Sequence, residues 1–251
     1  MSDENELLKK RFIELSNKSA SCGYFLFTDF LGLNEQSVFN EAKAMFKNSK
    51  YTIYGGNEHS ERVMIRFGDE EDLGYCEDFP IAIIKAEPKA PKFADKLTHR
   101  DFLGALLNLG IERKTLGDIV INENVGYIFA KEEICDYITS SFTKVKHTDI
   151  KASVIESLPD VKLFNTERIK IQVASERIDA VISKVYSISR DESLSLFKKH
   201  LVFVCGRCIE NNSYTPKEND VISVRGYGRF IYRGVFGTSK KGKLNVECDK
   251  Y

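Results

Sequence analysis

Residues 177–206 read RIDAVISKVYSISRDESLSLFKKHLVFVCG, and this stretch carries the clearest secondary-structure pattern in the C-terminal part of the chain. Its first half places apolar residues at positions i, i+3, i+4 and i+7, the spacing of an amphipathic helix; they are Ile178, Val181, Ile182 and Val185. Ser189 and Glu192 then form a capping-box pattern that starts a second helix. The apolar run Leu201–Val204 predicts a strand, which turns at Gly206. The stretch therefore predicts two short helices packed on a small sheet.

The chain continues from this stretch into a basic tail. Asn219 and Asp220 predict a turn into a strand over Val221–Val224. From residue 225 to residue 243 there are six Lys and Arg and no acidic residue, with aromatic residues between them. Tyr227, Phe230 and Tyr232 could stack on exposed bases while the neighbouring arginines hold phosphates. If they alternate along a strand, half of them face the core, so the arginines are the stronger candidates.

Charge is distributed unevenly along the chain. The formal net charge is zero, from 37 Lys and Arg against 37 Asp and Glu. Residues 176–251 carry 14 Lys and Arg against 9 Asp and Glu, or +5, which leaves −5 for the first 175 residues. This excludes a protein that is basic over its whole surface and favours one that binds an anionic partner through its C-terminal part. The acidic run Asp69–Asp78 is typical of a solvated loop.

Composition predicts a folded protein without a membrane-spanning segment. Of the 251 residues, 42% are hydrophobic and 29% are charged, which is enough apolar material for a core. The longest apolar runs, such as Ile81–Ile84, are far shorter than the roughly 18 residues of a membrane span. Met1–Lys10 lacks the apolar segment of a signal peptide, so we expect the six Cys to be free thiols in the cytoplasm. We also expect a monomer when the protein is free, without cofactor or metal.

The first 160 residues predict two further segments. Residues 1–78 read as a small α/β domain, with helices over Glu4–Asn17 and Asn34–Lys47 and strands over Tyr51–Tyr54 and Arg62–Phe67. Residues 79–160 follow the order β-α-β-β-α-β of a ferredoxin-like or RNA-recognition-motif-like domain. Within it, Gly126–Phe129 has a weak likeness to the aromatic strand of such RNA modules, but we predict a core role. The fold class is therefore α+β, with residues 175–251 as a third domain.

A catalytic site has little support in the sequence. There is no Gly-rich nucleotide-binding loop and no Walker lysine motif, which leaves Asp101 and Asp118 as the acids to test in an RNA-modifying enzyme. The tripeptide His99-Arg100-Asp101 has the same sequence as the His-Arg-Asp motif of the protein-kinase catalytic loop. It stands at a predicted helix start, however, where Thr98 and Asp101 fit a capping box, so a cap or an RNA contact is the better interpretation.

A zinc site is a second alternative. Cys205 and Cys208 form a single C-x-x-C pair that could bind zinc together with His200 and Cys248. The second half lacks the spacing of a zinc site, so ordinary thiols are the prediction.

The C-terminal residues resemble the S4 RNA-binding domain, named for the ribosomal protein in which it occurs. The matching pieces are RID at 177–179, SR at 189–190, Val202, Val204 and Gly206 in the strand and turn, and DVI at 220–222. The sequence departs from the family pattern at two positions, since His200 and Cys205 stand where Gly and Asn are common.

The rest of the chain resembles the YlmH-type S4 proteins, a bacterial and plastid family. The middle segment has THRDFLG at 98–104, LGIERK at 109–114 and GDI at 117–119, and the ends add TDFL at 28–31 and RGYGRF at 225–230. The resemblance implies an RNA-recognition-like middle domain, a C-terminal S4 domain and binding to structured ribosomal RNA and tRNA on the large ribosomal subunit. It also implies a role in quality control of stalled nascent chains, without enzymatic activity.

Residue types and resemblance together give a set of candidate RNA contacts. Cationic side chains that neutralise phosphates supply most of the affinity for RNA, and the start of the second helix, at Ser189, adds backbone donors. The C-terminal candidates are Arg177, Ser189, Arg190, Lys198, Lys199, Arg207, Arg225, Arg229, Arg233, Lys240 and Lys241. The central domain adds His99, Arg100, Arg113 and Lys114. The alternative function is an S4-domain RNA-modifying enzyme, similar to pseudouridine synthases or methyltransferases.

Overall fold

The structure is a computed structural model that describes residues 3–46, 50–159 and 166–251. These residues form a mixed α/β protein with seven α-helices and three sheets. The chain divides into two compact units: the first holds the described residues up to 159 except 36–40, and the second holds 36–40 and 166–251. Among the described helices, none has the length and apolar content needed to cross a bilayer.

The N-terminal part of the chain forms a small sheet and three helices, and residues 36–40 in the middle of the second helix belong to unit two. The elements of this N-terminal part are α1 (Asp3–Cys22), β1 (Leu26–Phe27), α2 (Leu33–Ala42), β2 (Tyr51–Tyr54), β3 (Met64–Phe67) and α3 (Glu70–Leu73). The sheet order is β1-β3-β2, and every pair is antiparallel. The predicted strands therefore form, while the helix predicted to reach Lys47 ends at Ala42 and continues as a short 3-10 turn; Lys47 itself lies outside the described residues.

The acidic run begins as a helix, where a loop was predicted. Asp69 caps α3, since its side chain accepts a hydrogen bond from the Asp72 backbone N–H. Acidic residues in the first turn stabilise a helix through its dipole. Lys50 Nζ lies 2.7 Å from Asp69 and 2.8 Å from Glu71, so part of the run is neutralised within this unit.

The middle of the chain folds in the predicted order β-α-β-β-α-β. Its elements are β4 (Ile81–Pro88), α4 (His99–Asn108), β5 (Leu116–Asn122), β6 (Val125–Lys131), α5 (Cys135–Ser141), the two-residue β7 (Lys144–Val145) and β8 (Thr148–Ile155). They form an antiparallel sheet of order β5-β6-β4-β8-β7. Apolar residues of α4 and α5, such as Phe102 and Ile138, are buried on one sheet face against Ile84 and Ile128.

The other face of this sheet is covered by the preceding segment. Phe129 of β6 is fully buried in a cluster with Phe30 and Met64. A Cβ on Gly117 would lie 2.7 Å from the Phe30 ring, so the layers are in close contact. The core role predicted for the Gly126–Phe129 strand is confirmed, and the position where many RNA-recognition motifs stack bases is closed to solvent.

Hydrogen bonds fix these two layers to each other. Arg62 donates through Nε to the Leu116 carbonyl at 2.9 Å and through NH2 to the Arg113 carbonyl at 3.2 Å. The Asp118 carboxylate accepts from the backbone N–H groups of Glu61 and Arg62 at 2.6 and 3.1 Å. The domain boundary between residues 78 and 79 stays a prediction, because both segments lie within unit one.

Unit two contains two helices and a six-stranded antiparallel sheet. Its elements are β9 (Glu167–Val173), α6 (Ile178–Val185), α7 (Arg190–Lys198), β10 (Val202–Val204), β11 (Arg207–Cys208), β12 (Val221–Val224), β13 (Gly228–Thr238) and β14 (Leu244–Lys250). The order is β11-β10-β12-β13-β14-β9. The helix stripe and the strands predicted from residues 177–206 form, and α6 and α7 bury Val181 and Phe197 in the core.

Two turn positions have a left-handed backbone. His200, just after α7, has φ 54°, and Cys205, between β10 and β11, has φ 47°. Gly and Asn adopt this conformation at the least cost. The two positions at which the sequence departs from the S4 pattern are therefore positions where Gly or Asn would fit the backbone.

Bulges in β13 change which side chains reach the solvent. Register shifts occur between Tyr232 and Gly234 and between Val235 and Gly237, so Arg233 and Phe236 are the extra residues of two bulges. A bulge turns its extra residue out of the regular alternation. Phe236 is 52% exposed as a result.

Candidate nucleic-acid interface

Two predicted arginines meet at a buried carboxylate in unit two. Asp179, at the start of α6, is fully buried, and its carboxylate accepts from Arg177 Nε at 3.1 Å and NH2 at 3.0 Å. Arg190 NH2 donates to the same carboxylate at 3.1 Å. The Arg177 and Arg190 side chains remain 40% and 50% exposed. Asp179 therefore orients two guanidinium groups, while their other donors can bind an anion.

The helix start at Ser189 is used by the chain itself. Ser189 Oγ accepts the Glu192 backbone N–H at 3.1 Å, which caps α7 as predicted. Asp191 and Glu192 stand in the first turn, where their negative charges oppose a phosphate. Contact of Ser189 with RNA stays a prediction, and this geometry favours a structural role.

The opposite end of α7 presents unpaired cations. Lys198 and Lys199 are exposed, and no carboxylate in the described part of the chain forms an ion pair with either of them. Arg207, on β11, is also exposed. These three side chains can reach a phosphate without breaking an ion pair among the residues that the structure describes.

Beyond β12, the predicted arginines lie over aromatic rings. The guanidinium of Arg225 is 5.4 Å from the Phe203 ring, and that of Arg229 is 4.1 Å from the Tyr251 ring. Phe230 and Tyr232, which were considered for base stacking, are buried in the core, so they are the aromatic residues that the strand alternation turns inward. Tyr227 is partly exposed, and its hydroxyl donates to Glu192 at 2.5 Å.

Arg233 belongs to a second carboxylate-centred cluster. Its Nε lies 2.7 Å from Asp249, which also accepts from Arg168 Nε at 2.9 Å. The hydrogen bonds from Arg168 and Arg233 hold the pKa of Asp249 below its ordinary value. Arg233 also donates through NH1 to Asn219, so two of its three nitrogen atoms have partners within the protein.

The tip of the β13–β14 hairpin is exposed and basic. Lys240 and Lys241 extend into solvent there. Phe236 lies nearer the base of the hairpin. The sequence did not predict its exposure to solvent, because that exposure depends on the bulge. Lys170 Nζ lies 5.1 Å from its ring.

The central candidates divide into exposed and enclosed groups. His99 and Arg100 are exposed at the start of α4, and Lys114 is exposed but paired to Glu112 at 2.6 Å. Arg113 donates to the Leu116 and Gly117 carbonyls, and burial lowers its pKa to about 10. Arg113 is therefore positioned as a structural residue.

The two acids that were candidates for catalysis have structural partners. Asp101 closes the predicted capping box with Thr98 and pairs with Lys146 at 2.8 Å. The hydrogen bond from Lys146, followed by that from Thr98, lowers the pKa of Asp101 to about 2. Asp118 accepts the two backbone N–H groups described above.

The cysteines behave as separate thiols. Cys248 is buried within the β14 strand, where burial raises its pKa to about 12, while Cys205 is exposed at a turn. Within the described ranges, no group of three or more His, Cys, Asp or Glu side chains could hold a metal ion.

Comparisons with known proteins show what this chain is similar to. Residues 75–158 match the family model described as the putative RNA-binding domain in YlmH. The chain is 28% identical over 231 residues to the ribosome-associated protein quality control protein P2 of Bacillus subtilis (strain 168), a match that covers 89% of this chain and 86% of that protein. The solved structure of the cell division protein ylmH from Streptococcus pneumoniae is similar with a TM-score of 0.48 and 21% identity, over 62% of this chain and 93% of that one. The resemblance to the YlmH-type proteins that the sequence predicts is confirmed by the family model and by the relative.

Proposed function

We propose that this protein is a non-enzymatic RNA-binding factor that acts on the large ribosomal subunit, in quality control of stalled nascent chains. The observation that carries the proposal is the exposed cationic surface of unit two, which includes Lys198, Lys199 and Arg207. The matched family model describes a putative RNA-binding domain, and the relative's name refers to ribosome-associated quality control. Ribosomal RNA is the principal ligand, with tRNA as a second contact.

Phosphate neutralisation is the proposed basis of affinity. Each Lys or Arg that contacts a phosphate releases counterions, so binding weakens as salt rises. Arg177 and Arg190 are held in place by Asp179 before RNA arrives, which lowers the entropy cost of binding. Because these cations are spread over helices and loops rather than aimed at base edges, we propose that RNA shape is recognised rather than sequence.

The proposed domain layout follows from this function. Residues 175–251 act as an S4 RNA-binding domain with a basic extension, residues 79–160 as an RNA-recognition-like domain and residues 1–78 as the layer that covers its sheet. The protein works in the cytoplasm as a monomer when free.

The alternative function, an RNA-modifying enzyme, has weaker support. Its two candidate acids, Asp101 and Asp118, hold a helix cap and two backbone N–H groups. Mapping of modified nucleosides after incubation with ribosomal RNA and tRNA separates the two functions. A new nucleoside would establish the enzyme.

Co-sedimentation tests the main proposal directly. The full-length protein is mixed with purified large or small ribosomal subunits and centrifuged through sucrose. We expect it to sediment with large subunits and to be released by salt. A variant with Arg190, Lys198 and Lys199 changed to Glu should remain in the supernatant; unchanged sedimentation of this variant would count against the proposal.

A further inference from the structure

Phe93 is an exposed aromatic side chain in the central domain that no contact described so far explains. It is 90% exposed, whereas Phe102 and Phe129 of the same domain are fully buried. An exposed phenylalanine contributes nothing to the core, and an aromatic ring in solvent is suited to a binding partner.

The backbone around Phe93 is firmly held. Pro91–Phe93 forms a 3-10 turn, with a hydrogen bond from Phe93 N to the Ala90 carbonyl at 3.1 Å. On the C-terminal side, Asn124 Nδ2 donates to the Asp95 carbonyl at 2.8 Å, and Asp95 N donates to Thr148 Oγ1 at 2.9 Å. The ring is therefore presented by a turn that is fixed to the sheet.

The charges around this turn are almost all positive. Between residues 88 and 100 there is one carboxylate, that of Asp95, which accepts hydrogen bonds from His147 N and Thr148 Oγ1. The same stretch has four cationic residues, all exposed: Lys89, Lys92, Lys96 and Arg100. The exposed ring is thus flanked in sequence by cations, and the one acid within this stretch is engaged with a backbone N–H and a side chain of the domain.

We propose that the Phe93 turn binds an unpaired nucleotide of RNA. The base stacks on the Phe93 ring, and Lys89, Lys92 and Lys96 bind the phosphates on either side. This inference rests on the proposed RNA-binding function, and it adds a second contact in unit one.

The covered sheet favours this location. In RNA-recognition motifs the bases stack on aromatic residues of the open sheet face. Here that face is covered and Phe129 is buried. The domain therefore offers its exposed aromatic ring on a loop at the end of the sheet, where single-stranded RNA can approach.

Binding of two RNA probes by the full-length chain tests the inference. The probes are a fluorescein-labelled oligouridine and a fully paired RNA duplex of equal length, each measured by fluorescence anisotropy. Phe93→Ala should weaken oligouridine binding by about fivefold or more, the lower end of what loss of a stacking ring costs. Duplex binding should stay within about twofold, because a paired base cannot stack on the ring. Since Phe93 is 90% exposed, the variant keeps the fold, which circular dichroism verifies.

Matched variants separate stacking from charge. Phe93→Trp should bind oligouridine like the natural protein, and Leu7→Ala, which removes a 65% exposed side chain from α1, should have no effect. Phe93→Ala should leave the salt dependence unchanged. Neutralisation of Lys89, Lys92 and Lys96 to Gln should lower the slope of log K against log salt by roughly 2, at about 0.7 for each single-strand phosphate contact.

The outcomes also separate this inference from the proposed function. Unchanged oligouridine binding by Phe93→Ala overturns the inference, even if the Lys198 and Lys199 variants lose ribosomal RNA. If Phe93→Ala loses oligouridine while the natural protein does not sediment with large ribosomal subunits, the inference stands and the proposed function fails. Weaker co-sedimentation of Phe93→Ala with subunits, without any loss on naked RNA, would assign the ring to a protein partner and overturn the inference.

Discussion

The end of α7 offers the sharpest test of the proposed RNA surface. Lys198 and Lys199 are exposed and make no ion pair with a described carboxylate. Replacing both residues with Gln removes two positive charges and introduces no negative charge that would repel RNA. We therefore expect the Lys198→Gln, Lys199→Gln double variant to bind ribosomal RNA less tightly and to keep the stability of the natural protein.

The size of the effect follows from counterion release. If each lysine contacts one phosphate of a helical RNA, the slope of log K against log salt falls by between about 1.4 and 1.8 for the pair. At roughly 0.15 M salt, a slope change of about 1.6 corresponds to a loss of roughly twentyfold in affinity. Anisotropy titrations of ribosomal RNA fragments at several salt concentrations measure both quantities.

Arg233→Gln is the comparison variant, because it removes one cation from unit two whereas the lysine double variant removes two. Arg233 is bound to Asp249 and Asn219, so we expect a loss of stability of about 1 kcal/mol and little change in the salt slope. If the lysine variant kept the natural slope, or if Arg233→Gln lowered the slope as much as the lysine variant, exposure and pairing would not identify the RNA contacts.

Three further predictions concern stability, each measured by urea unfolding. Asp179→Asn leaves two guanidinium groups without their buried carboxylate and should lower the free energy of unfolding by about 2 kcal/mol. Asp191→Asn, which changes an exposed acid, should lower it by under about 0.5 kcal/mol. Equal effects would contradict the role of Asp179 in holding Arg177 and Arg190. His200→Gly should raise the free energy of unfolding by about 0.5–1 kcal/mol, because glycine adopts the left-handed backbone conformation of this position at a lower cost. A loss of stability would show that the histidine side chain has an unrecognised role. The lowered pKa of Asp101 means that its pairing with Lys146 stabilises the fold above about pH 4 and that this contribution disappears as the pH falls toward about 2. Asp101→Asn should remove that part of the pH dependence, and an unchanged pH profile would refute the assignment.

Local patterns predicted the helices and several strands well. The capping box at Thr98 and Asp101 begins α4 as expected, because its hydrogen bonds are made within four residues of chain. The apolar stripe of α6 was equally readable, since Ile178 and Val181 face one core. Short-range hydrogen bonding and helical periodicity are properties of the sequence alone.

Features that depend on distant partners were harder to predict. Strand β9 pairs with β14, which lies far along the chain; Val173, for example, is opposite Leu244. The sequence of β9 does not indicate which strand it pairs with. The same holds for β13, where pairing with β14 creates the bulges that expose Phe236. Phe230 and Tyr232 were considered for base stacking because arginines surround them, but the strand alternation and the pairing with β12 place both in the core.

The sequence predicted the candidate site as a set of cationic residues. It could not distinguish the cations that are paired within the protein from those that are free to bind RNA. Arg177, Arg190, Lys198 and Arg233 look alike in the sequence, each being a basic residue near an aromatic or apolar one. The structure distinguishes them by what they contact, since Asp179 and Asp249 hold the arginines while Lys198 is exposed without an ion pair among the described residues. Such pairings between helices or strands arise only in the folded protein.

The covered sheet in unit one limits how the family segment can be studied in isolation. Residues 75–158 carry the family match, yet Phe129 within them is buried by Phe30 and Met64, which lie upstream. A fragment cut at the edges of the match would expose this apolar face to water and tend to self-associate. An autonomous version of the segment therefore has to begin before Phe30, and an apparent gain of base stacking by a shorter fragment would be an artefact of the cut.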